Sequence, residues 1–399
     1  MTSATEHPAQ TDKRSMVAAH LLRRPEVLYQ QLHQRGSLVW SESGGCWLVV
    51  GHEAARTVLR DEHFRMPGAD PRSEWGDGAQ HGDFVRSLLL SAEGTDHDRM
   101  RRTLGPAFSP RAVRARREAV ERAVDGLLAD IGPDGRFDGV AAISGRLPVA
   151  VVGDLVGVPE PERANVSELC RTISQGGGLA SGRASDSAVR NALAALDDLT
   201  VLVRRWLADP APESVLAAIR AADGTPLALS DVEAVANVFS LYLAGHDTSR
   251  NMISGLLLRL ATTPELLDGL REGRLTAEAE VDRVLLTESP LTFTARVAMR
   301  DVEVAGQLIR RGDRLRVMLG AANHELVANG QPAGPLAGVA FGEGRHVCLG
   351  AHLARLEGIV LLTVVARRWS AVRLTGTPRW TSHFLHRGLE TLPLEATWR

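Results

Sequence analysis

Apolar residues recur at spacings of three and four through most of the chain, from residue 98 to about residue 370. Such spacing places them on one face of a helix, so the pattern predicts a mainly helical protein. Strand signals are fewer. Two apolar runs around a Gly-Gly pair predict a β-hairpin over residues 37–50. A second hairpin is predicted between residues 302 and 317, and a last strand over 388–395, which together make a minor β region.

Short polar stretches separate the predicted helices. Helices are expected over residues 52–60, 161–174 and 188–207. Small and polar residues fill 175–187, which indicates a connection between the last two helices. Residues 66–83 are rich in Gly, Pro, Asp and Ser, so we expect a long loop there. Long loops inside compact domains are more often functional than accidental.

The ends and the overall length limit the domain organisation. Residues 1–14 lack the apolar stretch of a signal peptide and predict a disordered tail. No internal repeat or interdomain linker is visible in residues 15–399, so a single domain is expected there. The apolar run at 358–366 is far shorter than the roughly 20 residues of a membrane-spanning helix.

Charge and cysteine content narrow the function classes. The net charge is −2, which argues against a nucleic-acid footprint and against a polybasic membrane patch. The three cysteines, Cys46, Cys170 and Cys348, are far apart in sequence. An odd number without close spacing fits neither a disulfide framework nor a zinc site, so we expect a reducing, cytoplasmic setting.

One cysteine lies in the most informative stretch of the chain. Phe341-Gly342-Glu343-Gly344-Arg345-His346-Val347-Cys348-Leu349-Gly350 is a glycine-rich loop that leads into an apolar-periodic helix. A sulfur at a helix N-terminus is favoured as thiolate by unpaired N–H groups and the helix dipole. Taken alone, the stretch is open to three interpretations: Cys348 is buried and inert, it is a nucleophile with His346 or His352 as its base, or the loop binds phosphate. The last lacks a strand–loop–helix nucleotide motif.

The whole stretch resembles the haem-binding signature of cytochromes P450, Phe-Gly-x-Gly-x-His-x-Cys-x-Gly, at every fixed position. The resemblance implies a P450-like, triangular-prism helical fold that binds haem b, with Cys348 as the axial iron ligand. Such a thiolate pushes electron density towards the iron and favours O–O cleavage. The resemblance further implies that His346 lies near a haem propionate. Phe341, Gly342 and Gly350 would line the cofactor.

A second segment has a polar cluster inside an apolar helix: Ala244-Gly245-His246-Asp247-Thr248. Taken alone, it is equally typical of a solvated helix face. It resembles the P450 oxygen-activation motif, Ala-Gly-x-acid-Thr. The resemblance implies that Thr248 holds water beside bound dioxygen and that Asp247 relays protons to it. Ala244 and Gly245 would leave room for the oxygen.

Basic residues elsewhere are candidates for the haem propionates. His97 and Arg101 are four residues apart and so share a helix face. On their own they would be an ordinary surface pair. Similar pairs in bacterial P450s contact propionates, and Arg296 matches another propionate-binding position, where guanidinium can bind a carboxylate bidentately. These segments occur in the order found in the family, and the resemblance covers roughly residues 20–399.

The resemblance also implies a substrate pocket. Its wall would include Leu241, Phe293, Thr294 and Leu385, with residues 66–90 and 176–184 as its roof. This largely apolar wall predicts a small hydrophobic natural product. Electrons would come from a ferredoxin-type protein, and the protein would act as a monomer away from membranes and nucleic acid. A basic docking face could be formed by Arg99, Arg102, Arg345, Arg111, Arg114, Arg116 and Arg117, which are equally typical of solvated helix faces.

One family motif is missing from its expected position. P450s carry Glu-x-x-Arg seven residues before a proline such as Pro290, where this chain has Arg283 and Leu286. A literal Glu280-x-x-Arg283 lies three residues too early. No arginine occurs between Arg316 and Arg345, where the partner of that motif is expected. Loss of both halves together avoids stranding a buried charge, so we expect an atypical member.

The leading hypothesis is a haem-thiolate monooxygenase. A second hypothesis is a P450-like accessory protein that activates a partner enzyme. Retention of Cys348, Asp247 and Thr248 argues against it, because such relatives are expected to lose these residues. A third hypothesis is a haem-thiolate enzyme that catalyses oxidative coupling or rearrangement. The missing Glu-x-x-Arg motif is compatible with this chemistry but does not require it.

Overall fold

Helices predominate in the computed structural model, which describes residues 25–67, 82–132, 134–176, 185–330, 338–381 and 385–399. The α-helices are α1 (Pro25–His33), α2 (His52–Arg60), α3 (Gly82–Arg86), α4 (Gly94–Leu104), α5 (Pro110–Ala115), α6 (Arg117–Ala129), α7 (Leu147–Val156), α8 (Arg163–Gly176), α9 (Asp186–Ala208), α10 (Val215–Ala221), α11 (Asp231–Thr262), α12 (Glu265–Arg271), α13 (Ala277–Glu288), α14 (Leu319–Ala328) and α15 (Ala351–Arg368). The strands are β1 (Leu38–Ser41), β2 (Cys46–Val49), β3 (Phe64–Arg65), β4 (Arg136–Asp138), β5 (Thr294–Ala298), β6 (Val302–Val304), β7 (Gln307–Ile309), β8 (Arg314–Val317), β9 (Trp369–Leu374), β10 (Arg379–Trp380), β11 (Leu389–Thr391) and β12 (Pro393–Trp398).

The long helix α11 lies at the centre of the main core. It begins with a capping box, in which the Ser230 hydroxyl accepts from the N–H of Glu233 and the Glu233 side chain accepts from the Ser230 N–H. Such reciprocal bonds satisfy N–H groups that the first helical turn leaves unpaired. The helix packs against α7, α13 and α15. Its side chains Phe239 and Met252 are fully buried there, so apolar helix packing stabilises the centre of the protein.

The β region is peripheral and consists of small sheets. The largest has the strand order β1-β2-β8-β5-β3, with β2 and β8 parallel and the other neighbours antiparallel. Val49, Leu315 and Val317 of this sheet are buried in a second core together with Val58 of α2. A three-stranded antiparallel sheet, β4-β12-β9, pairs two late strands of the chain with the much earlier β4. The prediction of a mainly helical protein with a minor β region is therefore confirmed.

Several boundaries can be compared with the predictions. The first hairpin pairs Trp40 with Trp47 as expected, and α2 matches the predicted helix at both ends. The second hairpin is shorter than predicted: β6 and β7 turn at Ala305 and Gly306, whereas β8 leaves to pair with β5 and β2. The predicted last strand is divided between β11 and β12.

Some predictions concern residues that are not described. The predicted tail at 1–14, most of the loop at 66–83 and most of the connection at 175–187 lie outside the described residues. The helices on either side of that connection are α8 and α9, close to their predicted limits. Within the described ranges, no helix is long and apolar enough to cross a bilayer.

Candidate active site

The cysteine loop joins α14 to α15 through tight turns. Gly342 and Gly344 have φ angles of +67° and +71°, a region that side chains disfavour. A Cβ on Gly344 would lie 2.5 Å from the carbonyl oxygen of Leu59 in α2. The Cys348 N–H donates to the carbonyl oxygen of Phe341 at 2.8 Å and closes the loop. Glycine is therefore needed at 344 both for the turn and for contact with α2.

The sulfur of Cys348 differs from those of the other two cysteines. The Cys348 side chain is exposed, whereas Cys46 and Cys170 are buried. The protein around Cys348 nevertheless desolvates its thiol and raises the pKa. The backbone N–H of Gly350 and the charge of Arg101 oppose that rise. An accessible sulfur beside N–H groups and a guanidinium is not the buried inert cysteine that the sequence left open.

The two neighbouring histidines do not act on this sulfur. His346 donates from Nε2 to Glu93 Oε1 at 3.0 Å, and its ring packs against the ring of His97 at 4.7 Å. Within the described residues, no hydrogen bond joins His346 or His352 to Cys348. The nucleophile interpretation, which needs a base within hydrogen-bonding reach, therefore has no geometric support here.

Basic groups with unused bonding capacity lie in the same region. His97 is 1% exposed, and its Nδ1 lies 3.2 Å from Asp98 Oδ1. Its buried Nε2 has no hydrogen-bond partner among the described residues. Arg296 is 3% exposed and donates to Met66 Sδ, Thr294 Oγ1 and the carbonyl oxygen of Ala295, all neutral.

Burial lowers the pKa values of two guanidinium groups in this region, those of Arg296 and Arg101. Desolvation lowers the pKa of Arg296 to about 10, although the Glu93 carboxylate opposes the shift. Burial likewise lowers the pKa of Arg101, and the Cys348 thiolate opposes it. Arg101 also donates to the carbonyl oxygen of Arg345 at 3.3 Å. Both arginines remain charged at neutral pH, so this region favours a bound anion.

The polar cluster of α11 combines a hydroxyl, a carboxylate and an imidazole. Thr248 Oγ1 donates to the carbonyl oxygen of Ala244 at 2.6 Å. His246 Nδ1 lies 3.3 Å from Asp247 Oδ1, and its Nε2 lies 3.3 Å from the carbonyl oxygen of Gly145. Burial raises the pKa of Asp247, but the His246 hydrogen bond and the charges of His246, His386 and Arg250 outweigh it, so the pKa lies below its ordinary value. Asp247 is therefore ionised at neutral pH.

Gly245 has a structural reason to lack a side chain. A Cβ there would lie 2.6 Å from Cγ2 of Val152, so glycine lets α11 and α7 approach closely. The neighbouring Ala244 is exposed, which leaves open space at the start of the cluster. The sequence suggested room for oxygen at both positions, and the structure adds the packing role of Gly245.

Comparison with known proteins identifies the family. No family model matches the chain. A cytochrome P450 140 of Mycobacterium bovis is 31% identical over 96% of this chain and 92% of that protein. The cytochrome P450 monooxygenase PikC of Streptomyces venezuelae is 28% identical over 100% of this chain and 92% of that protein. The chain belongs to the cytochrome P450 family.

The fold of this P450 agrees with solved structures of the family. The crystal structure of P450 OxyD, involved in the biosynthesis of vancomycin-type antibiotics, superposes with a TM-score of 0.80. It is 26% identical and covers 96% of this chain and 98% of that chain. The predictions of a P450 fold and of a monooxygenase are thus confirmed, and membership of the family implies a haem-thiolate cofactor. Redox partners and small-molecule substrates are equally typical of such relatives.

The residues present fit a haem. An accessible Cys348 supplies the thiolate, and the orphaned Nε2 of His97 and the buried guanidinium of Arg296 can each bind a carboxylate. Because His97 Nδ1 donates to Asp98, Nε2 can donate to a carboxylate only when the ring is doubly protonated. Burial lowers the pKa of His97, and a carboxylate bound at Nε2 would oppose that shift. Sequence reasoning also placed His346 near a propionate, but here its Nε2 is bonded to Glu93.

The predicted substrate-pocket residues lie on different elements. Leu241 lies on α11 and is half-buried, and Thr294 begins β5. The guanidinium of Arg316 lies 5.1 Å above the ring of Phe293. The carbonyl oxygen of Leu385 accepts from Thr292 N–H at 2.9 Å, which brings the residue next to the segment that precedes β5. Much of the predicted roof lies outside the described residues.

Sequence reasoning missed two carboxylates near these groups. Glu93 accepts from His346 and from the N–H of Met66 at 3.0 Å. Glu357 of α15 is 1% exposed, and burial raises its pKa to about 8, although a hydrogen bond to Ser249 opposes the shift. The one signal for Glu357 was an acid inside the apolar helix that follows the cysteine loop.

The positions of the missing motif are occupied by unlike side chains. Leu286 is 6% exposed, whereas the Arg283 side chain is 56% exposed. Glu280 is buried, and Arg259 donates to it at 2.5 Å, with Arg283 farther away at 3.6 Å. In the Glu280-x-x-Arg283 sequence, Glu280 is therefore bound to Arg259 of α11, and Arg283 faces solvent. The prediction of an atypical family member stays a prediction.

Proposed function

We propose that this P450 is a haem b monooxygenase that oxidises a small hydrophobic natural product. The observation that carries the proposal is the accessible Cys348 sulfur, with the unpartnered Nε2 of His97 and the buried guanidinium of Arg296 in the same region. When bound, the haem would supply the redox chemistry that reduces and cleaves dioxygen. Cys348 would hold its iron, while His97, Arg101 and Arg296 would bind its propionates.

The α11 cluster would handle protons. Ionised Asp247 would accept a proton from solvent and pass it towards the Thr248 hydroxyl, while His246 holds the carboxylate by a hydrogen bond. The Thr248 hydroxyl now donates to Ala244, so it keeps lone pairs free to accept from a neighbouring water. Proton transfer through positioned groups of this kind is what cleavage of the O–O bond requires of the protein.

The substrate class rests on the apolar wall and on a relative. Leu241, Phe293, Thr294 and Leu385 offer mainly apolar surface, which favours a hydrophobic molecule. OxyD, which has a similar structure, is involved in antibiotic biosynthesis. We therefore infer that the substrate is a natural product. We further propose that residues 15–399 form a single domain and that the protein acts as a monomer in the cytoplasm.

A separate ferredoxin-type protein would deliver electrons at an arginine-rich face. Arg102, Arg111, Arg114 and Arg117 are exposed, and α5 packs on α15, the helix that follows Cys348. Two of the arginines considered from sequence do not belong to this face. Arg99 is held by Glu233 and the carbonyl oxygen of Ala228, and Arg116 is held by Asp154.

The absorption spectrum of the reduced, carbon-monoxide-bound protein tests the proposal. We expect the red-shifted Soret band of thiolate ligation, and we expect Cys348→Ala to abolish it. Cys170→Ala serves as the control, because that cysteine is buried away from the loop. Purified protein that takes up no haem would overturn the proposal and favour the accessory-protein alternative.

A further inference from the structure

Asn323 joins three parts of the protein behind the cysteine loop. It lies in α14 with 0% exposure. Its Oδ1 accepts a hydrogen bond from Val339 N–H at 2.8 Å, and its Nδ2 donates to Ser289 Oγ at 3.2 Å. Ser289 follows α13, and its hydroxyl donates to the carbonyl oxygen of Leu285 at 3.4 Å. One amide therefore connects the end of α13, α14 and the segment that leads to Cys348.

Backbone hydrogen bonds continue from that segment to the cysteine. Gly342 N–H donates to the carbonyl oxygen of Val339 at 2.9 Å. Phe341, the residue before Gly342, accepts at its carbonyl oxygen from Cys348 N–H at 2.8 Å. The first bond joins Val339 to Gly342, and the second joins the adjacent Phe341 to Cys348. Displacement of Val339 would therefore be transmitted to the backbone of Cys348.

The approach to Asn323 is close. Gly338 has φ +131°, and a Cβ there would lie 2.6 Å from Asn323 Oδ1 and would also meet the buried side chain of Leu286. Ser289 likewise adopts φ +39° and is 2% exposed. Backbone held in such disfavoured conformations needs surrounding contacts that fix it.

The two side chains that form this junction, Asn323 and Ser289, are both neutral. The sequence contains no charged residue between Glu325 and Glu343, so no ion pair can form from this stretch. Leu286 is buried beside Gly338, and the nearby Arg283 side chain is largely exposed. A buried amide whose donor and acceptor are both bonded avoids the desolvation cost that an unpaired charge would carry.

We propose that Asn323 is a positioning residue of the cysteine loop, fixing the loop's start at Val339 through neutral hydrogen bonds where other P450s are expected to use charges. The middle of the loop is held separately, by ion pairs of Glu343 with Arg56 and Arg60 of α2. Asn323 does not itself touch the cofactor; it acts by fixing Val339. The proposal rests on the proposed function in that Cys348 is the residue whose position matters.

The experiment compares two buried asparagines. Asn323→Leu removes both side-chain bonds of the junction. Asn237→Leu is the matched control, because Asn237 is 1% exposed, accepts from Leu89 N–H at 3.0 Å and donates to the carbonyl oxygen of Ser87 at 3.0 Å. For each haem-loaded variant we would measure the thiolate Soret band of the reduced carbon-monoxide complex, the melting temperature, and hydrogen–deuterium exchange of peptides spanning residues 338–350.

Asn323→Leu is expected to speed exchange of the amides in 338–350 by roughly tenfold, the effect of one lost buried hydrogen bond. It should also shift part of the Soret absorbance away from the red-shifted band. Asn237→Leu should lower the melting temperature while leaving both of these signals unchanged. If Asn323→Leu lowers only the melting temperature, as the control does, Asn323 is merely structural and the proposal is wrong.

Ser289→Ala covers the case in which Asn323→Leu does not fold. It keeps the bond from Val339 but removes the partner of Asn323 Nδ2, so a several-fold faster exchange in the same peptides is expected. Unchanged exchange would overturn the proposal. Failure of the proposed function looks different: wild-type protein would then lack the red-shifted band, while the exchange data would still decide the role of Asn323.

Discussion

Asp282 and Arg355 form a bidentate ion pair between α13 and α15. Arg355 Nε and a terminal guanidinium nitrogen each donate to a different Asp282 carboxylate oxygen at 2.8 Å. Their side chains are 8% and 14% exposed, respectively. Arg355 lies seven residues after Cys348, so the pair fixes the helix that carries the cysteine loop.

Asp282→Asn is expected to destabilise the protein by about 3–5 kcal/mol, because it leaves the Arg355 charge buried without its partner. The double variant Asp282→Leu/Arg355→Met should recover most of that loss, since it removes both charges. Urea unfolding of the three proteins measures the difference. Equal losses in the single and double variants would show that the charge pairing is unimportant.

Gly344 and Gly273 provide a matched test of the cysteine loop. Both have similar φ angles, +71° and +70°, but a Cβ on Gly273 would have no atom within 4 Å, whereas one on Gly344 meets the backbone of α2. Gly273→Ala should cost only about 1–2 kcal/mol of conformational strain. Gly344→Ala should cost more and should also weaken the thiolate Soret band. Similar unfolding free energies for the two variants would contradict this prediction.

Arg296 should affect the haem-free and haem-loaded proteins in opposite directions. Arg296→Met removes a buried guanidinium that has only neutral acceptors in the described structure, so the haem-free protein should become more stable by about 1–3 kcal/mol. The loaded variant should lose haem roughly tenfold faster, because a charge-assisted bond to a propionate is gone. Thermal unfolding and haem transfer to apomyoglobin measure the two effects. A slower haem loss would exclude propionate binding by Arg296.

Thr248 and Thr262 make the same hydrogen bond at different places on α11. Their hydroxyls donate to Ala244 and Leu258 carbonyl oxygens at 2.6 and 2.8 Å. Positioned proton-transfer groups typically contribute about a hundredfold in rate. Thr248→Ala should therefore divert most consumed oxygen to hydrogen peroxide, measured as peroxide per oxygen with any substrate that wild type oxidises. Thr262→Ala should keep wild-type coupling, and unchanged coupling in Thr248→Ala would reject its assigned role.

Local signals in the sequence were sufficient for much of the fold. The helix His52–Arg60 and the Trp40–Trp47 hairpin depend on neighbouring residues, so their patterns were readable. The strand Arg314–Val317 was assigned to the wrong partner. It pairs with Thr294–Ala298 and, in parallel, with Cys46–Val49, which is more than 260 residues away. Pairing over such distances leaves no periodic signal.

In the candidate site, too, local sequence patterns were readable and long-range contacts were not. The cysteine loop was found because its glycines and cysteine are adjacent in sequence. Glu93 and Asn323 were missed, because an isolated acid or amide in a sequence is most often exposed. Their roles arise from contacts with His346 and Val339, which lie 253 and 16 residues away.

Glu357 should make stability depend on pH. Burial raises its pKa to about 8 from an ordinary 4.5, so the folded protein retains a proton that the unfolded chain releases. The stability that this proton contributes is fully present below pH 4.5 and is lost as the pH rises to about 8. In that window the free energy of unfolding should fall by up to about 1.4 kcal/mol per pH unit.

Glu357→Gln should remove that contribution, since the amide keeps the shape of the protonated acid without titrating. Ser249→Ala should extend the window upwards, because the Ser249 hydrogen bond opposes the rise in pKa. Urea unfolding of the three proteins between pH 5 and about pH 9 measures how the free energy of unfolding changes with pH. The pKa of the buried acid sets the pH at which this dependence ends. An identical pH dependence in wild type and Glu357→Gln would mean that Glu357 is ionised in the folded protein, and that Ser249 with other groups compensates its buried charge.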